Sequence, residues 1–165
     1  KETTDFYSKL YTSEGADDGK VEQVSTKIRT SLSGEQKLKL NKFISEDEII
    51  KTIRAMKNNK SPGDDGLTKE FYQTFFEDIK EELCEMFNNI IFKKEMPESL
   101  RNAIITLLYK KNDHRLLKNW RPVSLLNTDY KILSKILATR LRELIDTILP
   151  KNQKCGEPKR QMNEI

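Results

Sequence analysis

The chain has 165 residues, 34% of them charged, and a formal net charge of +4. That length suits one domain, or one domain plus a tail, and a mean hydropathy of −0.72 allows only a thin core. No apolar run approaches the ~18 residues needed to cross a bilayer, and the polar start Lys1-Glu2-Thr3-Thr4-Asp5 is no secretory signal, so neither a membrane nor secretion is expected.

Phe6, Tyr7, Leu10 and Tyr11 recur at helical spacing and predict a first helix. Thr12 to Lys20 is acidic and contains glycine, which predicts a loop. Val21, Val24 and Ile28 outline a weak amphipathic helix running to Leu32 and broken by Ser33-Gly34. Leu38, Leu40, Phe43 and Ile44 read as an extended connector. Residues 1–44 together form an N-terminal extension or linker. A chain that starts at Lys1 instead of Met is what an excised fragment would show.

A stronger signal begins at Ser45. Ser45-Glu46-Asp47-Glu48 is a capping box whose acids favour the positive end of a helix dipole. Ile49, Ile50, Ile53 and Met56 follow as one stripe, predicting a helix over 46–57 that Asn58-Asn59 ends. Lys60-Ser61-Pro62-Gly63-Asp64-Asp65-Gly66 is a tight loop by composition, with Gly63 and Gly66 supplying positive φ and Asp65 bonding local backbone. Thr68 caps a second helix (68–77) lined by Phe71, Tyr72, Phe75 and Phe76. A third helix (79–94) carries Leu83, Met86, Phe87, Ile90 and Ile91 and stops before Pro97. Residues 45–100 are therefore a helical region.

Residues 101–165 change character. An apolar, β-branched run over 102–110 closes on Lys110 and Lys111. A polar connection containing His114, the one histidine, leads to a second strand over 120–125. A helix over 128–148 then puts Ile132, Leu133, Ile136, Leu137, Leu141, Leu144, Ile145 and Ile148 on one side. Lys131, Lys135, Arg140 and Arg142 lie elsewhere on its circumference. Pro150 ends it, and 151–165 is polar and frayed. The fold class is α+β, mostly helical with a small antiparallel strand pair.

Charge is uneven along the chain. Residues 1–100 hold 16 Lys/Arg and 20 Asp/Glu, a balance of −4, whereas residues 101–165 hold 14 and 6, a balance of +8. A basic C-terminal third is a surface for polyanions or, more simply, a solvated helix face. Cys84 and Cys155 are far apart with no Cys or His at metal-ligand spacing, which fits a reducing, intracellular compartment, nuclear or cytoplasmic.

Three strings occur in a telling order: Lys60-Ser61-Pro62-Gly63-Asp64-Asp65-Gly66 with its following helix, then Asn119-Trp120-Arg121-Pro122-Val123-Ser124-Leu125-Leu126-Asn127, then the Lys131-Ile132-Leu133-rich helix. This order resembles the fingers of reverse transcriptases of non-LTR (LINE-type) retrotransposons. The resemblance implies an RNA-directed DNA polymerase, with RNA template, DNA primer and deoxynucleotide as partners. It implies that residues 101–165 are the fingers-like β-β-α segment with a truncated C-terminus. It also implies that Lys110 and Arg121, brought to one end of a two-stranded ribbon, hold the triphosphate of the incoming nucleotide. Gln153 to Gln161 resembles the start of the next polymerase block, which makes Arg160 a third nucleotide-binding candidate, although Glu157 and Lys159 depart from that pattern.

For the loop at Lys60, Ser61 and Gly63, template contact and a purely structural turn are both open readings. Lys111, Lys131, Lys135 and Arg140 complete the expected nucleic-acid-binding set. Trp120 is expected to anchor core, and His114 to be exposed. The complete family enzyme uses Mg²⁺ held by palm carboxylates. Asp64-Asp65 lies between a Pro-Gly turn and a helix start, and Asp17-Asp18 lies in a polar loop, so neither is the strand-flanked aspartate pair that chemistry needs. With no metal site expected, no catalysis is expected from this chain alone, and a missing palm is its expected intramolecular partner. The alternatives are a nonspecific RNA or single-stranded DNA-binding module, and a non-functional truncated reading frame.

Overall fold

The computed structural model describes residues 2–13, 15–26 and 31–148. The chain is mostly helical with one two-stranded antiparallel sheet, as the sequence predicts. Its elements in order are α1 (Glu2–Tyr11), α2 (Asp18–Ser25), α3 (Gly34–Leu40), α4 (Glu46–Arg54), α5 (Lys69–Thr74), α6 (Phe76–Lys93) and α7 (Glu98–Arg101). Then come β1 (Ala103–Tyr109), a 3₁₀ turn (Leu117–Asn119), β2 (Trp120–Leu126), α8 (Thr128–Arg142) and α9 (Ile145–Ile148).

Contacts group the chain into two compact units. One lies within Lys1–Arg29 and Ile104–Leu125, the other within Thr30–Ala103 and Leu126–Ile165. The units interleave along the sequence: α1 and α2 group with the β-ribbon, and α3 groups with the later helices.

In the helical unit, α4 packs against α5, α6 and α8, and α3 packs against α8. Ile49 and Ile53 of α4 and Ile132 and Ile136 of α8 have 0% exposure, so the stripe spaced by four on each helix is the seam between them. Tyr72, Phe76, Leu83 and Phe87 close the same core from α5 and α6. Removing side chains of this size from such a seam costs about 2–5 kcal/mol each. In the ribbon unit, α1 faces β1, and the Tyr7 hydroxyl donates to the Trp120 carbonyl at 3.4 Å. Ile104, Ile105 and Leu108 of β1 remain more than 40% exposed.

Several local expectations need correction. The extended connector is in part helix: Ser33 does not merely break a helix but starts α3, through a full capping box with Gln36. Helix α2 begins at Asp18, inside the expected loop, and ends at Ser25; Ile28 lies outside the described residues. Ser45 caps α4 by accepting from the Glu48 amide at 3.3 Å, but Glu48 does not reciprocate, because its carboxylate is taken by Arg140. The helix expected over 128–148 breaks at Glu143-Leu144 into α8 and α9. Finally, Gly66 has φ +70°, whereas Gly63 is not among the positive-φ residues and is glycine for a different reason, given below.

Candidate functional site

The Lys60–Gly66 loop lies directly on the start of α8. A Cβ at Gly63 would stand 2.0 Å from Asn127 Oδ1, 2.4 Å from Asn127 N and 2.6 Å from the Leu126 carbonyl carbon. Only glycine permits that approach. Asp65 shapes the other side of the loop by accepting from the Leu67 amide at 3.0 Å. Side chains of α8 then stitch the surroundings together. Thr128 Oγ1 donates to Leu67 O at 2.6 Å, Lys131 Nζ to Ser61 O at 2.9 Å, and Lys135 Nζ to Ala55 O at 2.6 Å.

These contacts enclose a cleft of about 350 Å³ between the end of α4, the loop, the start of α5 and α8. Lys57, Lys60, Lys69, Lys131 and Lys135 line it, together with Met56, Ser61 and Thr128. No carboxylate lines the cleft, and none of the five lysines is in a salt bridge among the described residues. A concave wall carrying one sign of charge concentrates its field and draws in anions. Lys57 and Lys60 are exposed at the rim, whereas Lys69 is only 6% exposed. Its ammonium donates to Asn58 Oδ1 at 2.6 Å and to Gln73 Oε1, both neutral acceptors.

The structure therefore brings together Lys60, Ser61, Lys131 and Lys135 from the sequence-derived set, with Gly63 supporting them. It adds Lys57 and Lys69. Nothing local in the sequence marks these two, although Lys57 follows Met56 at the end of a clear stripe and Lys69 follows the Thr68 cap position.

Arg140 sits elsewhere. Its guanidinium grips Glu48 twice, Nε to Oε1 at 2.8 Å and Nη2 to Oε2 at 2.6 Å. It also donates to the carbonyls of Leu40, Lys42 and Phe43. With its side chain 10% exposed, it is a tie between α8, α4 and the end of α3. Ile132, Ile136 and Arg140 are spaced by four, so its place on the buried stripe was readable.

In the ribbon unit, Lys110 N donates to Asn119 O at 2.9 Å. The antiparallel register this fixes sets Leu108 opposite Arg121, so Lys110 and Arg121 share one face as diagonal neighbours. Both side chains are exposed, as is Lys111. The loop between the strands is braced by Asn119 Nδ2 on Asp113 O at 2.7 Å and by Trp120 Nε1 on His114 O at 2.8 Å. The Trp120 ring is half-buried and meets Tyr109 edge-on at 5.5 Å, so it orders the ribbon end. His114 is exposed. Arg160 lies outside the described residues.

Next to the loop, burial raises the Asp129 carboxyl above its ordinary value; the Tyr130 amide opposes this and the charge of Asp65 adds to it. Tyr72, buried beneath, is raised by burial and by the charges of Asp129 and Asp65. Among the described residues no three carboxylate, His or Cys groups come together as a metal site, and Asp65 and Asp129 each spend an oxygen on local backbone. These residues do not fit the paired-Mg²⁺ chemistry of the resembled enzymes.

No protein-family model matches the sequence. It is 42% identical over 129 residues to the transposon TX1 uncharacterized 149 kDa protein of Xenopus laevis, an alignment covering 78% of this chain. The chain belongs to the family of non-LTR retrotransposon proteins. This retrotransposon protein is also 29% identical, over 104 residues and 61% of its length, to the retrovirus-related Pol polyprotein from type-1 retrotransposable element R1 of Bradysia coprophila. It spans about a tenth of the length of the curated relatives it matches. Among its described residues no helix is long and apolar enough to cross a membrane.

Proposed function

We propose that this retrotransposon segment is the template- and nucleotide-gripping fingers of an RNA-directed DNA polymerase. Its role is to bind and orient phosphates, and the bond-forming chemistry is left to metal carboxylates supplied from a palm. The observation that carries this reading is the five-lysine cleft, because it is built by the loop and helix strings that resemble the family. Ammonium groups converging without a carboxylate suit the backbone of a nucleic-acid strand, which positions the strand and reads no sequence. Lys110 and Arg121 on one ribbon face suit a triphosphate, one as a point charge and the other as a planar fork. The working compartment is the nucleus or cytoplasm, where template and primer are found.

The test is a titration of labelled single-stranded RNA and DNA with the protein, at low and at physiological salt. Binding that is indifferent to sequence and falls steeply with salt supports the reading. Absence of binding at low salt, or binding that salt leaves untouched, overturns it.

A further inference from the structure

We propose that the lysine cleft receives a terminal phosphomonoester in preference to an internal phosphodiester. This rests on the reading of the cleft as a phosphate site for nucleic acid, and it specifies which phosphate enters.

Lys69 carries the inference. It lines the cleft yet is 6% exposed, so its ammonium forms part of the floor. An ammonium has three protons to donate, and Lys69 has two neutral acceptors, Asn58 Oδ1 and Gln73 Oε1. The neighbouring carboxylate, Glu70, directs Oε1 to the Asn59 amide at 2.8 Å. A cation this far from water and without an anionic hydrogen-bond partner is satisfied by an anion that reaches the floor. Lys57 and Lys60 stand at the rim, and Lys131 and Lys135 have each committed one donor to a backbone carbonyl, leaving donors for a ligand.

The ligand must then be small at its leading end and highly charged. An internal phosphodiester carries a single charge and a sugar on each side, so it reaches a recessed floor only by carrying both sugars into the cleft. A terminal phosphomonoester has one substituent, a charge of about −1.5 to −2 at neutral pH and three acceptor oxygens. A volume of about 350 Å³ is at the small end of ligand sites and suits such a group with one attached sugar. The phosphate could belong to the 5′ end of a strand or to a free nucleotide; the chemistry at the floor is the same.

The test uses the whole chain and two single-stranded oligonucleotides identical except for a 5′-phosphate or 5′-hydroxyl, followed by anisotropy. The phosphorylated strand should bind about tenfold more tightly, the effect of one added charge-assisted contact set. Lys69→Met should bring the ratio of affinities close to one. Lys57→Gln, at an exposed rim position where folding is not at stake, should reduce it. A nucleoside 5′-monophosphate as competitor separates the sources. If it displaces the strand at comparable concentration, a free nucleotide is the ligand; if it does not, the strand end is. Equal affinity of both strands for the wild-type chain would overturn the proposal and leave nucleic-acid binding standing. Failure of both strands to bind at low salt would overturn both.

Discussion

Replacing Arg140 with Ala should destabilise the helical unit more than any other single charge removal in this chain. The guanidinium makes two bonds to Glu48 and one each to the carbonyls of Leu40, Lys42 and Phe43, with its own side chain 10% exposed. Removing one member of a buried ion pair costs about 3–5 kcal/mol, because the partner is left charged and unpaired. Water offsets part of that here, since the Glu48 side chain is 30% exposed and Lys42 and Phe43 are exposed. We expect a loss of about 2–4 kcal/mol in urea unfolding. For a chain of this size that lowers Tm by roughly 5–15 °C. Arg140→Lys should recover less than half, because one ammonium cannot serve a bidentate carboxylate and three carbonyls together. A double-mutant cycle with Glu48→Gln should show strong coupling. An Arg140→Ala protein within about 0.5 kcal/mol of wild type would refute the reasoning and return Arg140 to the exposed basic set.

The two loop glycines should respond differently. Gly63→Ala places a Cβ 2.0 Å from Asn127 Oδ1 and must displace backbone, so a loss of about 2 kcal/mol or more is expected in chemical unfolding. Gly66→Ala meets no atom within 4 Å but sits at φ +70°, so about 1 kcal/mol is expected, with Gly66→Asn milder; equal losses at both positions would contradict this. Asp129 binds its proton more tightly folded than unfolded, so its contribution favours the folded state below its ordinary pKa and is lost as pH rises through the raised folded value. Asp129→Asn should therefore stabilise the protein at neutral pH and flatten that acid-side slope in pH-dependent melting; a steeper slope would contradict the burial argument. In an active relative carrying this segment, Arg121→Ala should raise the KM for deoxynucleotide by roughly tenfold or more, with Arg121→Lys recovering part. Unchanged nucleotide kinetics in both Lys110→Ala and Arg121→Ala would return these residues to solvated strand ends.

What the sequence makes legible is whatever is encoded locally. Ile49 and Ile53, and Ile132 and Ile136, repeat at the helical period, and each pair is fully buried where that period places it. The Asn58-Asn59 stop is equally local: Asn59 adopts φ 56°, a conformation that asparagine tolerates. Ser33-Gly34 misleads because the same residues that break one helix can cap the next, and only the Gln36 side chain decides between them. Gly63 misleads because turn glycines are read for their dihedral freedom, whereas this one serves a packing contact with residues 126 and 127. The lysine cleft was half legible. Lys60, Lys131 and Lys135 could be picked out by charge and motif, but Lys57 and Lys69 join them only when α4, α5 and α8 pack around the loop. Arg140 looked like another basic residue on a basic helix, and its role depends on carbonyls a hundred residues earlier in the chain.

The most direct test of the phosphate-gripping cleft is the salt dependence of single-strand binding in a charge-deleted variant. For single strands the slope of log K against log salt is about −0.7 per phosphate contact, so Lys60→Gln with Lys131→Gln should make it shallower by about 1.4. Lys37→Gln, an exposed lysine of α3 outside the cleft, should leave the slope as it is. If the double variant keeps the wild-type slope, the cleft does not hold the strand.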